Sequence, residues 1–227
     1  MADEKTPNEK TGLREDTVLV ICAHPDDEVF GAGGTIAKYV KEGKRVKTII
    51  FSYGEKSHVW LQRKVTVQMR VKESKRADEI LGCSESVFFG LEEGKILLQI
   101  KEKKLEKKLK EIVEKEKPYR IFTHSFGDPH PDHRAVYKTV FNAVEAAKID
   151  PEIYVFDIWN PIDIKNREMP KMYVDISSTF GTKMRALNIF KSQFVSMLFL
   201  MPGVVISAFL NGINAECRFA ERFYRAR

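Results

Sequence analysis

The sequence predicts a single α/β domain: a Rossmann-like, mainly parallel sheet with helices on both faces. Two observations predict it. Thr17 to Ala23 (TVLVICA) is an unbroken apolar, β-branched run, the composition of a strand covered on both sides. After it, strand-like and helix-like segments alternate through most of the chain, which is the pattern of parallel strands joined by helical crossovers. A chain of 227 residues is long enough to bury one sizeable core, and no repeat or linker divides it. Residues 1–16 are expected to form a flexible charged tail and residues 17–227 the domain.

The elements follow in order. Glu28 to Glu42 carries Phe30, Ile36, Ala37 and Val40 at helical spacing, and Gly43 is placed to stop it. Val46 to Ser52 reads as a second strand. Gln62 to Leu81 reads as a long helix ended by Gly82, and Ser86 to Phe89 as a third strand. Leu105, Leu109, Ile112 and Val113 fall on one face of an amphipathic helix over Lys101 to Lys117. Tyr119 to His124 is a strand, and His133 to Lys148 a helix with Val136, Val140, Val144 and Ala147 on one face. Glu152 to Ile158 and Lys171 to Ile176 read as strands, and Thr179 to Phe190 as a helix.

Bulk composition narrows the class. The net charge of +6 is modest, and many of the lysines share Lys101 to Lys117 with five glutamates. That stretch is a solvated helix face rather than a stripe for nucleic acid. Cys22, Cys83 and Cys217 are too widely spaced for a metal-type pair and fit a reducing, cytoplasmic setting. No signal peptide is legible in the first sixteen residues. Phe194 to Leu210 is nearly as apolar and long as a membrane span, but Pro202-Gly203 interrupts it. A buried segment or a homo-oligomer interface is expected there, with a membrane-facing surface as the alternative.

Two polar knots carry the chemistry. His24-Pro25-Asp26-Asp27-Glu28 closes the first strand, and His130-Pro131-Asp132-His133 lies between a later strand and its helix. Both map to the carboxyl edge of the sheet, where such folds collect ligands. His24 and Asp27, three residues apart, can approach one ion together, and His133 can complete a two-His, one-carboxylate set for zinc. Such an ion lowers the pKa of water and polarises a carbonyl. Asp26 is then suited to act as general base. His130, as an imidazolium, would stabilise an oxyanion and protonate a departing amine, with Asp132 holding its tautomer and raising its pKa. Each residue also has a plainer role: Asp132 fits a helix N-cap, and acidic groups in a first turn complement the helix dipole.

At these residues the chain resembles the PIG-L/LmbE-like family of zinc-dependent N-deacetylases, whose (A)HPDD(E) and HPDH motifs read here as Ala23 to Glu28 and His130 to His133. Softer likenesses are Arg70-Val71-Lys72-Glu73 with Arg76-Ala77 and Leu81-Gly82, then Lys183, Ala186-Leu187 and Ser192-Gln193, then Ala220-Glu221-Arg222-Phe223. The resemblance implies one Zn2+ per chain on His24, Asp27 and His133, with Asp26 as base and His130 as acid or oxyanion stabiliser. It also implies that Arg70 contacts the sugar or a phosphate on it; the plainer reading is an exposed helical arginine. Phe190 stands where the family often has another aromatic residue or a His. The implied substrate is a small N-acetylglucosamine-type amino sugar: free, oligomeric, or linked to inositol or lipid. Gly31, Gly33 and Gly34 are expected to permit close packing near the site.

Two rival readings use the same residues. A dinucleotide turn would need glycine at position 36, where Ile36 stands, and the acidic knot would repel a pyrophosphate. A metal-dependent hydrolase acting on another amide or an ester would use the same site equally well.

Overall fold

The computed structural model describes residues 14–55, 62–158 and 168–227. The described residues form seven strands, β1 Arg14–Cys22, β2 Arg45–Ser52, β3 Glu85–Leu91, β4 Pro118–His124, β5 Glu152–Phe156, β6 Lys171–Asp175 and β7 Ala220–Arg225. The helices are α1 Asp27–Lys41, α2 Arg63–Leu81, α3 Ile96–Glu102, α4 Leu105–Glu116, α5 Pro131–Ala147, α6 Phe180–Leu187 and α7 Phe194–Asn214. The strands form one sheet in the order β3-β2-β1-β4-β5-β7-β6. Its first five members pair in parallel, as expected, while β7 runs antiparallel to both β5 and β6.

The alternation of β1 builds the layers. Val18, Val20 and Cys22 face a core shared with α1, α2 and α6. Leu19, Ile21 and Ala23 face the opposite core, under α3, α4 and α5. The chain leaves β1 through α1 to β2 on one side, whereas β4 lies on the other. The strand order therefore reverses between β1 and β4, and that opening is where α/β sheets place ligands. Gly82 ends α2 at φ 86°, a left-handed turn that glycine enters without a Cβ clash.

Several boundaries and elements differ from the sequence reading. Strand β1 begins at Arg14, whose N–H donates to the Lys117 carbonyl, so only residues 1–13 of the expected tail lie outside the described residues. The helix expected over Lys101 to Lys117 is split into α3 and α4 at Lys104, which sits at φ 51°. Ile100 and Leu105 are both buried but five residues apart, one too many for neighbours on a continuous helix face. The turn restores both to the core. Strand β7 was not foreseen, because AERFYR mixes charge with aromatics.

The largest departure is α7. The helix continues through Pro202, at the cost of one hydrogen bond to the carbonyl four residues back, on the exposed side of the helix. It is not a buried segment. Met197, Leu200, Met201 and Val204 pack inward, while Phe194, Leu198, Phe199 and Ile206 face out, with Phe199 76% exposed. By length and composition alone, Lys191–Asn214 would suffice to cross a membrane.

Candidate metal centre and active site

Four residues separate β1 from α1 and six separate β4 from α5, so the two knots meet at the opening between those strands. Three atoms converge there. His24 Nδ1 lies 3.3 Å from Asp27 Oδ2 and 3.3 Å from His133 Nε2, and the third side of the triangle is 3.4 Å. Ligand atoms about 2.0–2.1 Å from a tetrahedral zinc stand roughly 3.3–3.4 Å apart. The triangle therefore fits such an ion without rearrangement.

A carboxylate stands beside the far nitrogen of each imidazole. His24 Nε2 lies 3.2 Å from Asp132 Oδ2, and His133 Nδ1 lies 3.0 Å from Asp128 Oδ2. A carboxylate on the far nitrogen orients a ligating imidazole and raises its basicity. Other His and acidic sets in the neighbourhood reuse His24 or His133, so they compete for one ion rather than build a second site. Burial pulls both imidazoliums down, but the carboxylates outweigh it. Asp132 and Asp27 raise His24 to about 10, and Asp27 and Asp128 raise His133 to about 9. Burial pushes Asp27 up, yet His133 holds it well below the usual carboxylate range. A cation on these three residues would take the place of the protons.

Asp132 thus does something other than expected. Its carboxylate faces His24 and accepts the Gly94 N–H at 2.6 Å, and it does not hold the His130 ring. Nor is it the N-cap of α5. That position belongs to His130, whose Nδ1 accepts the Asp132 N–H at 3.2 Å. The proton of a neutral His130 therefore sits on Nε2. Its pKa falls rather than rises, through burial first and then the charges of His24 and His133.

Asp26 occupies a strained position. It precedes α1 at φ 106°, a region that costs a non-glycine residue about 1–3 kcal/mol. Its N–H donates to Glu28 Oε2 at 3.0 Å, and Arg70 Nη2 and Nη1 lie 3.3 and 3.4 Å from its Oδ2. Arg70 also donates to the Pro25 carbonyl. Its side chain is 3% exposed, which removes the exposed-arginine reading; it clamps the first knot while lining the cavity. Phe190 lies under its guanidinium, 5.8 Å from the ring centre. Burial raises the Asp26 carboxyl and Arg70 lowers it, leaving it at about 6.

His124 and Asp128 escaped the sequence reading. His124 ends β4, stacks on His133 with ring centres 3.8 Å apart, and accepts the Ala23 N–H at 3.0 Å. Burial and the neighbouring His133 push it down to about 4, so it is a neutral prop between the two strands. The signals were present: His124 is the last residue of a predicted strand, and Asp128 stands two residues before the second knot.

Behind the site, a buried ion pair is set into α1. Lys183 Nζ donates to Glu221 Oε1 at 2.6 Å and to the Phe30 carbonyl at 2.8 Å. Glu221 in turn accepts the N–H groups of Gly34 and Thr35 at 3.0 and 2.7 Å. The close approach needs small residues, as expected for Gly31, Gly33 and Gly34. A Cβ on Gly34 would stand 2.7 Å from Ile176 Cδ1. The Lys183 and Glu221 segments are therefore framework for α1.

The cavity above the triangle measures about 210 Å3 and is lined by His24, Asp26, Asp27, Arg70 and His130, with Gln193, Ser196 and Leu200 at its α7 side. Residues 19–144 match the PIG-L family, described as GlcNAc-PI de-N-acetylase. The chain belongs to this family. Over 193 residues it is 30% identical to a probable N-acetyl-alpha-D-glucosaminyl L-malate deacetylase of Bacillus cereus, covering 80% of this chain and 85% of that one. It is 27% identical over 197 residues to a 4-oxalmesaconate hydratase of Pseudomonas putida, covering 78% and 74%. The fold matches that of the N,N'-diacetylchitobiose deacetylase of Pyrococcus horikoshii with a TM-score of 0.77 at 23% identity, over 92% of this chain and 83% of that one.

Proposed function

We propose that the protein is a zinc-dependent hydrolase that removes the acetyl group from an N-acetylglucosamine-type amino sugar, with one ion on His24, Asp27 and His133. The observation that carries the reading is the triangle of ligand atoms with a separate carboxylate behind each imidazole. A bound ion supplies Lewis acidity, making water a better nucleophile and an amide carbonyl a better electrophile. Family membership supports the reaction class, and the deacetylase relatives support the acetamido sugar. Asp26 accepts the proton of the attacking water. His130 offers Nε2–H to the oxygen that gains charge as the carbonyl is attacked. His130, held neutral with Nδ1 accepting the Asp132 N–H, is not the imidazolium acid expected from the sequence. When the C–N bond breaks, the proton held by Asp26 passes to the amine nitrogen. The acetic acid released gives its proton to solvent, leaving acetate and the free amino sugar. Arg70 keeps Asp26 aimed into the cavity and presents a cation to the substrate.

The test is release of free amine from N-acetylglucosamine, chitobiose and inositol-linked substrates by metal-stripped protein, before and after zinc is restored. Zinc-dependent release is expected. Zinc-loaded protein that releases no amine from any of them overturns the acetamido-sugar reading. The hydratase relative defines the second reading, since the same base and ion suit addition of water to an unsaturated acid. That reaction consumes the double bond absorbance and frees no amine.

A further inference from the structure

Asp26 is the N-cap residue of α1, yet its side chain caps nothing. An aspartate there ordinarily turns its carboxylate back onto the first N–H groups of the helix. Here φ 106° swings it away, while its carbonyl still accepts the N–H groups of Val29 and Phe30, both at 2.9 Å. The strained backbone therefore frees the carboxylate for the cavity, and a partner must hold the peptide in that state. Glu28 is placed to do so. Its Oε2 accepts the Asp26 N–H at 3.0 Å, and its Oε1 accepts the Ser74 hydroxyl at 3.3 Å. Ser74 lies one turn beyond Arg70 on α2. One helix thus reaches the Asp26 carboxylate through Arg70 and the Asp26 N–H through Glu28. A first-turn acid that only complemented the helix dipole would have no need of burial, but Glu28 is 0% exposed.

We propose that Glu28 is a positioning residue for Asp26: its carboxyl group braces the strained Asp26 peptide, so that the Asp26 carboxylate faces the cavity instead of capping α1. The inference rests on the deacetylase reading, in which Asp26 takes the proton of the attacking water. It gives a task to the acidic residue of the first knot that belongs neither to the ligand triangle nor to the cavity lining. Without that acceptor the Asp26 N–H is a buried donor left unpaired, and the peptide gains by relaxing towards an ordinary cap. The ligand Asp27 keeps its place, because its own contacts are to His24 and His133.

The experiment compares the parent with Glu28→Met, which has similar length but no acceptor, and Glu28→Gln, which keeps an acceptor at the same reach. In metal-free, isotope-labelled protein, NMR is expected to show the Asp26 amide proton exchanging slowly in the parent and in Glu28→Gln, and faster in Glu28→Met. With zinc restored, kcat for amine release from N-acetylglucosamine and chitobiose is expected to fall roughly 10- to 100-fold in Glu28→Met, because the base has lost its aim. Zinc affinity and KM hold, and Glu28→Gln recovers most of the loss. Adding Glu28→Met to Asp26→Asn costs nothing further, since the two changes remove the same contribution. Unchanged kcat in Glu28→Met overturns the proposal. So does a further loss on top of Asp26→Asn, or loss of zinc in step with turnover, either of which makes Glu28 framework. If Glu28→Met does not fold, Ser74→Ala releases Glu28 from α2 and is expected to show the same pattern at smaller size; unchanged kcat there overturns the brace. Zinc-loaded parent that releases no amine, with an Asp26 amide that still answers to Glu28, keeps the brace and sinks the deacetylase reading.

Discussion

Replacing Lys183 with methionine tests whether the ion pair behind α1 holds the candidate metal centre in place. The change removes the Nζ that donates to Glu221 and to the Phe30 carbonyl, and leaves a carboxylate only 6% exposed without its cation. Breaking one side of a buried pair costs about 3–5 kcal/mol. Glu221 keeps the N–H groups of Gly34 and Thr35, which places the loss at the lower end, about 3 kcal/mol. For a domain of this size that corresponds to a fall in Tm of roughly 6–12 °C. The double variant Lys183→Met with Glu221→Gln removes the stranded charge, and about half or more of the stability is expected to return. Urea unfolding of the two single variants, the double and the parent gives all four corners of the cycle. Because α1 carries Asp27 in its first turn, zinc titration of the folded Lys183→Met protein is expected to show weaker uptake as well. A loss under about 1 kcal/mol, the ordinary range for an exposed pair, refutes the argument.

The remaining predictions concern the centre and its packing. Asp26→Asn, chosen because asparagine tolerates a positive φ, is expected to bind zinc normally while amine release falls by about 10²-fold or more; loss of metal in step with turnover would reassign Asp26 as a ligand. Asp128→Ala strips the carboxylate from His133 Nδ1, and competition with a chromogenic chelator is expected to report a zinc affinity about 10–100-fold weaker. Unchanged affinity would mean that His133 needs no such support. Gly34→Ala gains up to about 1 kcal/mol of helix propensity but drives a methyl into Ile176, so a net loss of about 1–2 kcal/mol is expected in thermal unfolding. A more stable variant would show that α1 and the Ile176 segment are looser than drawn.

Much of this was legible because it is local. The run from Thr17 to Ala23, the stop at Gly82 and the apolar stripe on α5 depend on residues within a few positions of one another. His24, Asp27 and His133 were legible for a related reason: each knot lies where a strand ends, and strand ends on one edge of a parallel sheet come together. Conversely, α3 is not legible, and the helix expected from Lys101 to Lys117 runs across Lys104, which carries no helix-breaking signal; burying both Ile100 and Leu105 requires the turn there.

The sequence by itself determined the layered α/β fold, the two knots and the three atoms that converge. It did so because strand and helix periodicity, and the order of elements around a parallel sheet, are carried by short-range pattern. Tertiary structure alone decided which partner each side chain takes. It gave Asp132 to His24 instead of His130, brought Asp128 to His133, buried Arg70 against Asp26, and set Lys183 and Glu221 into α1. It also left one face of α7 bare. A carboxylate pairs with whichever donor packing brings within about 3 Å, and Asp132 and Glu221 reach His24 and the Gly34 and Thr35 N–H groups from more than a hundred residues away along the chain, beyond the reach of local pattern.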